Sequence, residues 1–168
     1  MIMIDTVEKI YLEAKNKNLK ISCAESCTGG LIGAALTEFP GISEIFNGSA
    51  VTYSNEAKIN ILGVKPETLK NFGAVSEQCA IEMAEGSMRI YNSDIAVSVT
   101  GIAGPDGGTE LKPVGTVCFG ISTEKNLYSF TKIFQGNRND IRLQTVNNAL
   151  EEFLKVIKKN PSEILRDS

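Results

Sequence analysis

Apolar and polar positions along this 168-residue chain fall into two rhythms, one helical and one extended. Over residues 6–16, Val7, Ile10, Tyr11 and Ala14 recur at i, i+3, i+4 and i+7, so this stretch reads as an amphipathic helix. Residues 20–23 read as the end of a short buried strand. Residues 31–39 return to helical spacing, with Leu31, Ile32, Ala35, Leu36 and Phe39 on one face, and stop at Pro40-Gly41. Residues 45–53 are rich in β-branched and aromatic side chains and read as a second strand. Ser54 can cap a helix over 55–62, which has Glu56 in its first turn and Gly63 just past its end. Pro66 and Ser76 begin two further helices, the second reaching about Tyr91. Residues 94–100 alternate, with Ile95, Val97 and Val99 on one side, and so do residues 116–123, with Val117, Phe119 and Ile121. A polar turn, Glu124-Lys125-Asn126, joins the latter to residues 127–134, which suggests an antiparallel hairpin. A last helix begins near Asn139, carries Ile141, Val146, Ala149, Leu150, Phe153, Leu154 and Ile157 on one face, and fades by Pro161.

Strands that alternate with helices, followed by a hairpin and a helix, predict an α/β fold: a three-layer α/β/α sandwich on a mixed, mostly parallel sheet. One domain over 1–158 and a polar tail over 159–168 are expected. In sheets of this kind ligands bind where strand ends and their loops share an edge. The loops 25–30, 53–58 and 100–108 each follow a strand, so all three are placed to meet at one edge.

Composition narrows the function. A net charge of −3 with no basic block argues against nonspecific nucleic-acid binding. The first residues lack a basic stretch followed by a long apolar one, and no apolar run approaches the ~20 residues of a membrane span. Four cysteines without C-x-x-C spacing fit a reduced, cytoplasmic setting. The chain contains no histidine. That removes Ser-His-Asp and Cys-His arrangements, and it leaves Lys, Tyr, Cys, Asp or Glu with a shifted pKa to move protons near neutrality. Acidic residues show no metal-ligand spacing, so neither metal nor cofactor is expected.

The candidate chemistry lies in the loops. Ala24-Glu25-Ser26-Cys27-Thr28-Gly29-Gly30 turns a strand into a helix through hydroxyls and glycines, leaving N–H groups at a helix start that suits an anion or a developing oxyanion. A plainly capped helix would use the same residues. Ser26 is the leading nucleophile and requires a base; without histidine, lysine is the natural partner. Lys58 lies one turn into the helix after the second strand, near Tyr53, which is placed to relay a proton. Two rivals stand beside this pair: Ser54 with Lys58, at i and i+4 on one helix, and Cys27 as a thiol at a helix start. Thr100, Gly101 and Gly104 belong to a turn, residues 100–108, that matches neither a dinucleotide fingerprint nor a Walker A pattern but can bring backbone N–H groups to a ligand. Arg138 and Arg142 flank the start of the last helix, where cations are disfavoured unless an anion sits between them.

Five blocks of this sequence closely resemble the CinA C-terminal family: residues 24–30, residues 48–58, Gly73-Ala74-Val75-Ser76, residues 101–108, and Lys112-Pro113-Val114-Gly115-Thr116-Val117. The match is collinear from about residue 6 to 155. The resemblance implies a metal-free Ser–Lys hydrolase on a three-layer α/β/α fold, an amidohydrolase that converts nicotinamide mononucleotide (NMN) to nicotinate mononucleotide and ammonia. It implies Ser26 as nucleophile, Lys58 as general base and Tyr53 as the assisting tyrosine. Thr28, Gly29, Gly30, Thr100, Gly101, Gly104, Arg138 and Arg142 are then expected to bind the substrate, with Arg138 or Arg142 at its phosphate. Many relatives carry this domain behind a molybdopterin-binding-like domain, and a stand-alone homo-oligomer is expected here. The alternative is a non-catalytic nucleotide-binding or regulatory module that uses the same loops.

Overall fold

A computed structural model describes residues 1–159, and the polar tail expected over 159–168 lies, beyond Lys159, outside the described residues. Five strands form one mixed sheet in the order β2-β1-β3-β4-β5. Their bounds are Ile21–Glu25 (β1), Phe46–Val51 (β2), Ile95–Gly101 (β3), Thr116–Thr123 (β4) and Leu127–Ile133 (β5). β1 pairs in parallel with both β2 and β3, whereas β4 is antiparallel to β3 and to β5. Four of the five strands therefore point the same way, and β1 lies at the centre of the parallel half.

Helices cover both faces. On one, α1 (Ile4–Asn16), α2 (Leu31–Thr37) and α6 (Arg138–Lys158) pack over Ile21, Cys23, Val97, Val99, Val117, Phe119 and Ile121 to make the main core. On the other lie α3 (Asn55–Leu62), α4 (Pro66–Phe72) and α5 (Glu77–Tyr91), around Ala24, Ala50, Leu62, Cys79 and Met83. The second face is lined by small residues, which lets α5 sit close on the sheet. A Cβ on Gly120 of β4 would fall 2.2 Å from the Ala80 carbonyl oxygen of α5. Only glycine fits at that distance. Both faces of β1 and β3 are buried, which explains why these strands read as near-continuous apolar runs.

The helical and extended stretches read from the sequence all occur, with ends shifted by a few residues. One shift matters. β1 runs two residues further than expected, through Ala24 and Glu25, which pair with Ala50 and Val51 on one side and with Ser98 and Val99 on the other. Strand alternation then turns the Glu25 side chain toward the same face as Ile21 and Cys23, beneath α2. β2, by contrast, ends at Val51, so Thr52 and Tyr53 leave the sheet before α3 begins.

Candidate active site

The carboxyl ends of β1, β2 and β3 open onto a cleft of about 290 Å³, with α6 beginning at the same edge because β5 runs parallel to β3. Ser26 and Cys27 follow β1; Tyr53, Asn55 and Lys58 follow β2; Thr100 and Gly101 end β3, and Ile102, Ala103, Gly104, Asp106 and Gly107 follow it; and Arg138 is the first residue of α6. Ala74 and Val75, just before α5, complete the wall. The three loops that sequence order assigned to one edge do meet there.

Lys58 reaches Ser26. Its Nζ lies 3.0 Å from Ser26 Oγ, although the two residues sit on different elements and 32 positions apart. The same amine donates to the carbonyl oxygens of Thr52, at 2.9 Å, and of Tyr53, at 3.2 Å. Lys58 is only 1% exposed, and burial lowers its pKa from the ordinary lysine value because a desolvated ammonium is costly. Ser54 is not its partner: the Ser54 hydroxyl accepts the Ala57 N–H at 3.0 Å and caps α3. Cys27 lines the cleft, but burial first, and the nearby Glu25 carboxylate after it, push its thiol up to about 11, against the opposing pull of Arg142 and Lys58. Little thiolate exists near neutral pH, which weakens the cysteine alternative.

Tyr53 contributes its backbone carbonyl to Lys58, while its side chain stands 61% exposed at the cleft mouth. There the phenol oxygen accepts a hydrogen bond from Arg138 at 3.1 Å. A second guanidinium nitrogen of Arg138 donates to the Gly104 carbonyl at 2.6 Å, so this arginine bridges the loops that follow β2 and β3. Thr100 lies in the cleft wall, with its hydroxyl donating to the Ala74 carbonyl at 2.8 Å. Gly101 and Gly104 line the cleft as expected.

Four expected substrate contacts are placed elsewhere. Thr28 is fully buried, and its hydroxyl donates to Glu25 Oε2 at 2.6 Å. The Gly29 N–H bonds the Ser26 carbonyl at 3.1 Å, and the Gly30 N–H bonds Glu25 Oε2 at 3.1 Å. Glu25 also accepts the N–H groups of Ile32 and Gly33, at 3.0 and 2.9 Å. The helix start expected to hold a substrate anion or oxyanion is already filled by the chain's own carboxylate. Arg142 likewise faces the turn: its Nε and an Nη donate to the carbonyls of Cys27 and Thr28, at 3.1 and 2.9 Å. Arg138 is the arginine on the cleft.

A site of this make-up invites comparison with known proteins. The sequence profile of the CinA C-terminal domain matches residues 4–157. The chain belongs to that family. A CinA-like protein of Endomicrobium trichonymphae is 58% identical over 143 residues, covering 85% of this chain and 33% of the relative. A CinA-like protein of Fervidobacterium nodosum is 53% identical over 133 residues, covering 79% of this chain and 33% of the relative. The chain thus spans about a third of the length of these curated relatives. Among solved structures, the competence/damage-inducible protein CihA from Agrobacterium tumefaciens superposes with a TM-score of 0.88 at 42% identity, covering 93% of this chain and 95% of that one. A competence or damage-inducible protein from Enterobacter asburiae gives 0.90 at 35% identity, covering 94% and 99%. The CinA-type sandwich and its mixed sheet are therefore shared with proteins of known structure. Among the described residues, no helix is long and apolar enough to cross a membrane and no group of three His, Cys, Asp or Glu is placed to hold a metal ion.

Proposed function

We propose that this CinA-family chain is a metal-free amidohydrolase that deamidates NMN, with Ser26 as nucleophile and Lys58 as general base. The observation that carries the reading is a buried lysine amine 3.0 Å from a serine hydroxyl at the floor of an open cleft. A neutral amine has two N–H bonds and one lone pair. The carbonyls of Thr52 and Tyr53 take the two N–H bonds, which turns the lone pair toward the Ser26 O–H.

Lys58 takes the Ser26 proton as Oγ attacks the carboxamide carbon. The tetrahedral oxyanion is held by backbone N–H groups of the loop after β3, around Ala103 and Gly104, since those of Gly29 and Gly30 are already engaged. Collapse breaks the C–N bond, and the Lys58 proton leaves with ammonia. Water, deprotonated by Lys58, then attacks the acyl-enzyme, releasing nicotinate mononucleotide and returning a proton to Ser26. Arg138 binds the 5′-phosphate at the cleft mouth, and Tyr53, held by Arg138, orients that end of the nucleotide.

The test is ammonia release from NMN with EDTA present. Turnover is expected to persist under chelation, and Ser26→Ala and Lys58→Ala each to lower kcat by at least about a thousand-fold with little change in binding. Near-normal turnover in both variants sinks the assignment. Tight NMN binding without turnover by the unaltered protein points instead to a binding module, which has no use for a buried lysine on a serine.

A further inference from the structure

Glu25 takes no part in the proton transfers just described, yet it is fully buried beside them. Its carboxylate accepts the Thr28 hydroxyl at 2.6 Å, the Ser49 hydroxyl at 2.7 Å and the N–H groups of Gly30, Ile32 and Gly33 at 2.9–3.1 Å. Each carboxylate oxygen is met at least twice, which is what keeps a buried charge tolerable. Four of these donors, Thr28, Gly30, Ile32 and Gly33, belong to the residues just after Ser26. From α6, Arg142 grips the same turn through the carbonyls of Cys27 and Thr28. Ser26 itself is tied by its N–H to the Val99 carbonyl of β3, at 3.1 Å, and by its carbonyl to the Gly29 N–H. An anion and a cation thus hold the segment just after Ser26 from two sides, the cation through the C=O groups of Cys27 and Thr28 and the anion through the N–H groups of Gly30, Ile32 and Gly33.

We propose that Glu25 and Arg142 are positioning residues that hold the Ser26 turn in its reactive geometry before substrate arrives. The inference rests on the Ser–Lys reading above. Its physical content is that the helix start contributes placement and not charge: with its N–H groups filled by Glu25, activation of Ser26 is left to Lys58. Misplacement of a nucleophile by about 1 Å costs on the order of a hundred-fold in rate, so rigidity here is worth as much as a catalytic group.

The experiment reads the reactivity of Ser26 without relying on NMN. A fluorophosphonate probe phosphonylates a serine hydroxyl: the Oγ–P bond forms, the P–F bond breaks, the serine proton goes to the base and fluoride leaves. Labelling rates are measured against pH for the unaltered protein, Ser26→Ala, Glu25→Gln, Arg142→Lys and the core control Leu150→Ala, each checked for cooperative melting. Whichever oxygen it replaces, the NH₂ of Glu25→Gln faces a backbone N–H that can only donate, and Arg142→Lys cannot span two carbonyls with one ammonium. Folded Glu25→Gln is expected to label roughly a hundred-fold more slowly and Arg142→Lys roughly ten-fold, with the pH midpoint unmoved, while Leu150→Ala loses stability and keeps its rate. If Glu25→Gln does not fold, Arg142→Lys decides alone. Rates within about three-fold of the unaltered protein overturn the inference, as does an equal loss in Leu150→Ala or a shifted midpoint, which would mean action through the charge of Lys58. Labelling that is absent in the unaltered folded protein overturns the Ser–Lys reading itself.

Discussion

At the scale of single residues, the proposed mechanism makes Lys58 the group that sets the pH behaviour. Burial lowers its pKa below the ordinary lysine value of 10.5, so the neutral base becomes available earlier in the titration than on an exposed lysine. On the proposed mechanism kcat/KM rises with pH along a one-proton limb whose midpoint lies below 10.5. Lys58→Arg abolishes that limb, since a guanidinium does not deprotonate in this range. Stability follows the same sign. Between the folded and unfolded pKa values the unfolded state binds more protons, so this residue's contribution to stability grows as pH rises through the window. Urea unfolding at several pH values should therefore show the unaltered protein gaining on Lys58→Met as pH rises toward 10.5, and a difference independent of pH would refute the lowered pKa. The absence of histidine and the family resemblance made Lys58 legible in the sequence. The carbonyls of Thr52 and Tyr53 were not, because every residue has one and only the break in β2 at Val51 aims these two at the amine.

At the scale of elements, the start of α2 shows why a correct local reading led to a different role. Ser, Thr and two glycines between strand and helix do signal N–H groups at a helix start. A glutamate at a strand end, however, reads as loop. Only the pairing of Glu25 with Val51 and Val99 fixes it as the last inward-facing strand residue, able to fill that helix start from within. Arg142 follows the same logic, since its distance from the cleft depends on how α6 lies over α2. The small-residue face beneath α5 is equally a matter of packing and not of pattern. Gly86 in α5 tests it. In an exposed helix Gly→Ala stabilises by about 1 kcal/mol. Here the added Cβ would fall 2.1 Å from the Leu62 carbonyl oxygen, so overpacking of about 1–3 kcal/mol should win and Gly86→Ala should unfold at lower urea concentration. A gain in stability would show that α3 moves aside at little cost.

At the scale of the whole molecule, the fold places the carboxyl ends of four co-directional strands on one edge, and the cleft collects side chains from all of them. The element types and the shared edge were legible, because buried strands and amphipathic helices carry their period in the chain. The strand order was not: an apolar run shows that a strand is buried on both faces, not which strand lies beside it. Charge also has to be read at this scale. The chain carries a net −3, so an anionic substrate gains nothing from the overall field and depends on a local cation. On the proposed reading Arg138, which lines the cleft, is that cation. It is anchored to Gly104 and Tyr53 at the cleft mouth, whereas Arg142 is spent on the Ser26 turn. A charge-assisted hydrogen bond to phosphate contributes about 1.5–3 kcal/mol, so Arg138→Ala should raise KM for NMN roughly 10- to 100-fold. The phosphate-free riboside lacks the group Arg138 would hold, and its KM should change by less than about three-fold in the same variant. On the inference that the turn held by Arg142 serves the chemical step and not the phosphate, Arg142→Lys should lower kcat for both substrates alike and leave both KM values near those of the unaltered protein. Equal KM effects of Arg138→Ala on NMN and the riboside would remove Arg138 from the phosphate, and a phosphate-dependent KM rise in Arg142→Lys would return that arginine to the substrate.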